Sequence, residues 1–148
     1  MPLTADEMIA ALEAFEPDSG YDDNQFRLYP ITEGFKTLEG RHRVITAMFG
    51  LMERYPNAYL GTPGPLVHSI ESLGIENYEP LLIESVRRQP TELTVWMVNR
   101  ILNTELSPEH RRSLLELLAA VPDHPRLATH VADNALRFLK HQKSRGTI

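Results

Sequence analysis

With 148 residues, 42% of them apolar and 24% charged, the chain has the size and composition of one soluble globular domain. A domain of this length buries roughly 68–70% of its extended-chain surface, so it needs neither disulfide nor metal to fold, and it has no cysteine. No apolar run approaches the ~20 residues of a membrane span, and no basic segment followed by an apolar run opens the chain, so a cytoplasmic protein is expected.

The formal charge of −5 is unevenly spread. Residues 1–40 hold nine acids against two bases, whereas residues 41–148 hold eleven acids against thirteen bases. An acidic N-terminal quarter repels nucleic acid and attracts a basic partner; it also serves, more plainly, as a solvated surface that aids solubility.

Taken in chain order, Thr4-Ala5-Asp6-Glu7 reads as a capping box, and Met8, Ile9, Leu12 and Phe15 follow at helical spacing until residues 17–20, PDSG, end the helix. Residues 17–31 read as irregular, with a short strand as an alternative, pinned to the body by Tyr21, Phe26, Leu28 and Tyr29. A short helix is expected over 32–39, stopped near Gly40. From Arg41, Val44, Met48, Leu51, Met52 and Tyr55 mark the buried face of a stronger helix. Thr62 and Pro63 then read as cap and first residue of a helix that carries Leu66, Val67, Ile70 and Leu73 and stops at Gly74.

Further starts fall at Asn77 with Pro80 in its first turn, at Thr91, at Ser107-Pro108 and at residues 122–125. The steps of 14 to 16 residues between starts make a helix pair of about 30 residues. The expected fold is all-α: seven to eight helices in stacked antiparallel pairs, right-handed and HEAT- or armadillo-like, in a single domain. It divides into an acidic helix and irregular segment at 1–40, a helical stack at 41–141 and a frayed tail at 142–148. An irregular all-α bundle is the alternative.

The six histidines form no zincin pattern. His68 reads as a packed histidine bonded to the backbone and His124 as a loop or cap residue. Residues 18–24, DSGYDDN, fail the calcium-loop spacing, and residues 61–64, GTPG, lack the lysine and preceding strand of a phosphate loop. No catalytic residue, metal or cofactor is assigned. The helix over 91–103 is the most informative for binding. Trp96, Asn99, Arg100 and Asn103 share a face apart from the apolar one, and Trp and Arg dominate interface hot spots. Trp96 filling a joint between helix layers is the structural alternative. With the acidic Asp18, Asp22 and Asp23, these four residues are the candidate partner-binding set. The basic residues near helix ends, Arg87, Arg88, Arg137, Lys140 and Lys143, are explained by helix dipoles rather than by a nucleic-acid stripe.

Residues 60–71 (LGTPGPLVHSIE) and 94–103 (TVWMVNRILN), with 41–45 (RHRVI) and 51–56 (LMERYP), resemble small bacterial α-helical immunity proteins encoded beside toxins of polymorphic and contact-dependent inhibition systems. The resemblance runs over residues 26–121. It implies a HEAT-like protein, monomeric before it binds, that blocks one cognate toxin and has no enzymatic activity. Neither nucleic acid nor membrane is an expected partner, and the acidic N-terminal quarter points to a basic toxin such as a nuclease. The remaining readings are a helical-repeat scaffold or adaptor, and a DNA glycosylase-like enzyme, which would need a basic concave face.

Overall fold

The structure, a computed structural model, describes residues 3–18 and 23–145. Among these it is all-α, with no strand: α1 (Ala5–Ala14), α2 (Asp23–Thr32), α3 (Arg41–Arg54), α4 (Gly64–Glu71), α5 (Ile75–Arg88), α6 (Glu92–Leu102), α7 (Pro108–Ala120) and α8 (Val131–Ser144). Short 3-10 turns occupy Phe35–Thr37 and Val121–Asp123. The helices pack on one another in a repeat-like manner. They group into two compact units, Met1–Leu81 and Leu82–Ile148, with the division inside α5.

In the first unit, α1 opens on the predicted capping box. The Glu7 N–H donates to Thr4 Oγ1 at 3.1 Å, and the Thr4 N–H donates to Glu7 Oε1 at 2.9 Å. Two of the N–H groups that a helix start leaves without partners are thereby satisfied. Met8 and Leu12 on its inner face are fully buried, and each contributes roughly 1.5–3 kcal/mol by leaving water. They pack against α3, whose Val44, Met48, Leu51 and Met52 are the buried stripe foreseen from spacing.

Two links fix the direction of this pair. Arg43, near the start of α3, donates to Asp6 Oδ1 at 3.2 Å, and Arg54, at the end of α3, donates to the Leu12 carbonyl at 3.1 Å. Helices α1 and α3 therefore run side by side in the same direction, with α2 between them in sequence. Helix α2 packs in turn on α4, the next helix but one.

The turn into α4 depends on Gly61. Its φ is +130°, and a Cβ there would lie 2.3 Å from the Gly64 Cα and 2.8 Å from the Gly64 nitrogen, both backbone atoms that cannot swing aside. Gly61→Ala is expected to cost about 2 kcal/mol of unfolding free energy, measured by urea denaturation. An unchanged midpoint would show that the turn has another conformation open to it.

The second unit repeats the arrangement. Thr91 caps α6 through a capping box with Thr94, and Ser107 caps α7 by accepting from the His110 N–H, with Pro108 at the first helical position. Asn134 near the start of α8 donates to Glu92 at the start of α6, and Gln142 near the end of α8 donates to Asn99 near the end of α6. Helices α6 and α8 are thus parallel neighbours. Arg111, early in α7, reaches the Leu102 carbonyl at the α6 end and Gln142 at the α8 end, so α7 runs opposite to both. At the other end of this unit, His124 bridges the Arg87 carbonyl (Nε2 to O, 2.7 Å) and the Arg126 N–H, which donates to Nδ1 at 3.0 Å. An accepting Nδ1 assigns the proton to Nε2, and the ring pins the loop before α8 to the end of α5.

Several local expectations are corrected. Residues expected to be irregular or a strand include α2, and the helix expected over 32–39 is only the 3-10 turn at Phe35–Thr37, because Gly34 at φ +81° interrupts it. Thr62 does not cap α4: its hydroxyl bonds the Tyr59 hydroxyl at 2.6 Å, and Pro63 occupies the cap position. Helix α5 begins at Ile75, before Asn77, whose amide donates back to the Leu73 carbonyl at 2.7 Å, so Pro80 lies inside the helix rather than in its first turn. The last helix starts at Val131, not near 123, and runs through residues 142–144, which were expected to fray; residues 146–148 lie outside those described. From start to start the next-but-one helices are 28 residues apart for α4 and α6 and 33 for α5 and α7, close to the helix-pair length of about 30 inferred from the punctuation, and 39 for α6 and α8 because the last helix starts late.

Candidate partner-binding site

Helix α2 reverses the usual distribution of polarity. Its buried positions are Asn24, Leu28 and Thr32, at i, i+4 and i+8, whereas Phe26 and Tyr29 face solvent with 63% and 46% of their surface exposed. The buried polar groups are satisfied. Asn24 accepts from the Asp18 N–H at 2.8 Å and donates to the Asp18 and Tyr59 carbonyls at 3.0 Å; the Thr32 hydroxyl donates to the Leu28 carbonyl at 3.1 Å. Asn24 therefore ties the N-terminal end of α2 to the turn before α4. With that inner face fixed by hydrogen bonds, the aromatic side chains are left on the outside.

These aromatics border an open groove of about 640 Å³ between α2, the 3-10 turn and the start of α4. Phe26, Tyr29 and Pro30 form one side and Phe35 and Pro65 contribute to the rest, while Glu33, Lys36 and His68 bring charged or polar groups to the rim. Two large exposed aromatics on one short helix over a mostly apolar groove form the kind of patch that marks an interaction surface. His68, expected to be packed, is exposed on α4. The sequence reading missed this groove because its aromatics lie among polar residues. The signal that could have found it is the polar i, i+4, i+8 set, which leaves Phe26 and Tyr29 no inward direction.

The predicted binding residues of α6 divide by role. Trp96 is half-buried, with the Arg100 guanidinium 4.8 Å from its ring centre, a cation–π pair on the outer side of the helix. Asn99, only 9% exposed, accepts at Oδ1 from Gln142 Nε2 at 2.7 Å. Asn103 is exposed, and its Oδ1 accepts from Gln142 at 2.8 Å and from Arg145 at 2.9 Å. The two amides thus hold α8 to α6, and Trp96 with Arg100 is the part of the set that meets solvent.

Of the acidic candidates, Asp18 pairs with Arg27 at 3.6 Å, while that guanidinium stacks 4.5 Å from the Phe15 ring centre. Asp23 is exposed in the first turn of α2, one helical turn from Phe26. Asp22 lies outside the described residues. The structure thus places Asp23 on the same helix as the groove aromatics, whereas Trp96, Asn99, Arg100 and Asn103 belong to the second unit.

Among the described residues no group of three or more His, Asp or Glu side chains is placed to hold a metal ion, and no helix is long and apolar enough to cross a membrane. No protein-family model, curated protein or solved structure matches the chain.

Proposed function

We propose that this chain is an immunity protein, which binds a cognate toxin domain and neutralises it by covering its active or functional surface. The observation that carries this reading is the exposed pair Phe26 and Tyr29 beside a mostly apolar groove, on a helix whose inner face is fixed by hydrogen bonds. Burial of such aromatics in a partner's pocket is the main source of energy in tight protein complexes. Acidic residues flanking the patch, and a net excess of seven negative charges over residues 1–40, favour a basic partner and speed its approach. Trp96 with Arg100 supplies a second aromatic–guanidinium surface of hot-spot composition. Inhibition here is occlusion, with no turnover.

The test is titration calorimetry with the toxin-like product of the neighbouring reading frame. Binding tighter than about 1 μM, weakening as salt is raised, is expected. Absence of a complex at that concentration would overturn the reading in favour of a scaffold role.

A further inference from the structure

One stripe of α2 carries more than aromatic surface. Asp23, Phe26, Tyr29 and Glu33 follow at steps of three, three and four residues, which places them along one face of a helix. The Glu33 N–H donates to the Tyr29 carbonyl at 2.9 Å, so the helical turn continues through Glu33 although α2 ends at Thr32. All four side chains are exposed, and Glu33 borders the groove. The order along the stripe is carboxylate, ring, ring, carboxylate.

We infer that this stripe is a seat for arginine side chains of a protein partner, with each guanidinium lying on the Phe26 or Tyr29 ring and donating to Asp23 or Glu33. An aromatic face attracts a cation, and a guanidinium is planar and weakly hydrated enough to stack while its edge donates to a carboxylate. The chain contains this arrangement internally: Arg27 stacks on Phe15 and pairs with Asp18. The other wall, with Lys36 and His68, sets the orientation: an arginine-bearing segment in the groove turns its cations towards α2 and its apolar part towards Pro65. The assignment rests on the partner-binding reading above and names the chemistry of the segment that enters.

The probe is a hexa-arginine peptide added to the full chain at low ionic strength, observed by NMR of ¹³C-labelled Phe and Tyr rings. Saturable shifts of the Phe26 and Tyr29 signals are expected, with hexa-lysine about threefold weaker because it cannot stack and donate in a fork. Hexa-glutamate should leave the rings unmoved. The Glu33→Gln variant, whose side chain is exposed and does not support the fold, should weaken hexa-arginine binding by about 3- to 10-fold.

Equal response to hexa-lysine, shifts that bypass Phe26 and Tyr29, or no effect of Glu33→Gln would overturn the assignment. So would ring shifts that follow protein concentration without peptide, which would give the groove to a second copy. A toxin that binds wild type and Glu33→Gln equally would sink the arginine seat and leave the immunity reading standing. Peptide binding without any toxin complex would do the reverse.

Discussion

Replacing Gln142 by leucine is expected to remove about 4 kcal/mol of unfolding free energy, a large share of what a domain of this size has. The side chain has no exposed surface and connects three helices. Its Nε2 donates to Asn99 Oδ1 and Asn103 Oδ1, and its Oε1 accepts from Arg111 at 3.0 Å and from Arg145 at 3.2 Å. Leucine fills a similar volume but answers none of these groups. The Asn99 oxygen is then buried without a donor, and Arg111, whose Nε already has no partner, is left more poorly satisfied. Each such orphan costs roughly 1–3 kcal/mol.

Gln142→Glu is the informative companion. It keeps two acceptors for the arginines, and the Asn99 amide can turn to donate, whereas the Asn103 oxygen is held by Arg145, so its loss should be smaller. Urea denaturation of both variants measures the difference. Equal losses would show that shape, not hydrogen bonding, fixes α8 to α6.

The double substitution Phe26→Ala with Tyr29→Ala should act in the opposite sense, on binding and not on folding. Two anchors worth about 2 kcal/mol each predict a roughly 100- to 1,000-fold loss of affinity for the toxin domain, most of it in the dissociation rate. Because Phe26 and Tyr29 keep 63% and 46% of their surface in solvent, unfolding free energy should change by less than about 1 kcal/mol. Surface plasmon resonance gives the rates, and thermal melting gives the control. Retained affinity would remove the groove from the complex. A fall in melting temperature matching the fall in affinity would mean the rings support the fold after all.

How far the sequence could be read depended on how local each signal was. The caps at Thr4, Thr91 and Ser107 need only three neighbouring residues, and all three are where the spacing put them. The apolar stripe of α3 is equally self-contained. Helix α2 was hidden because its inward residues are Asn24 and Thr32, whose partners Asp18, Tyr59 and Leu28 are supplied by the folded structure. Periodicity counts apolar residues, and here Leu28 points inward while Phe26 and Tyr29 point outward. The same holds for Gln142, which falls in the expected frayed tail: a polar side chain near a terminus is buried only when distant amides and arginines are there to meet it. In the candidate set of α6, spacing groups Asn99 and Asn103 with Trp96 and Arg100 on one side of the helix. That the amides would face α8 depended on a helix about 40 residues further along.

The pairing of α1 with α3, α2 with α4 and α6 with α8, each with its next neighbour but one, bears on how the protein is made. Links from Asp6–Arg43 to Asn99–Gln142 join positions 35 to 43 residues apart, in both the early and the late part of the chain. At ribosomal speeds of 5–20 residues per second, the second member of each link is synthesised about 2 to 9 seconds after the first. Helices α1 and α3 can dock as soon as Arg54 clears the exit tunnel, long before α8 has been translated, so acquisition of structure is expected to keep pace with elongation.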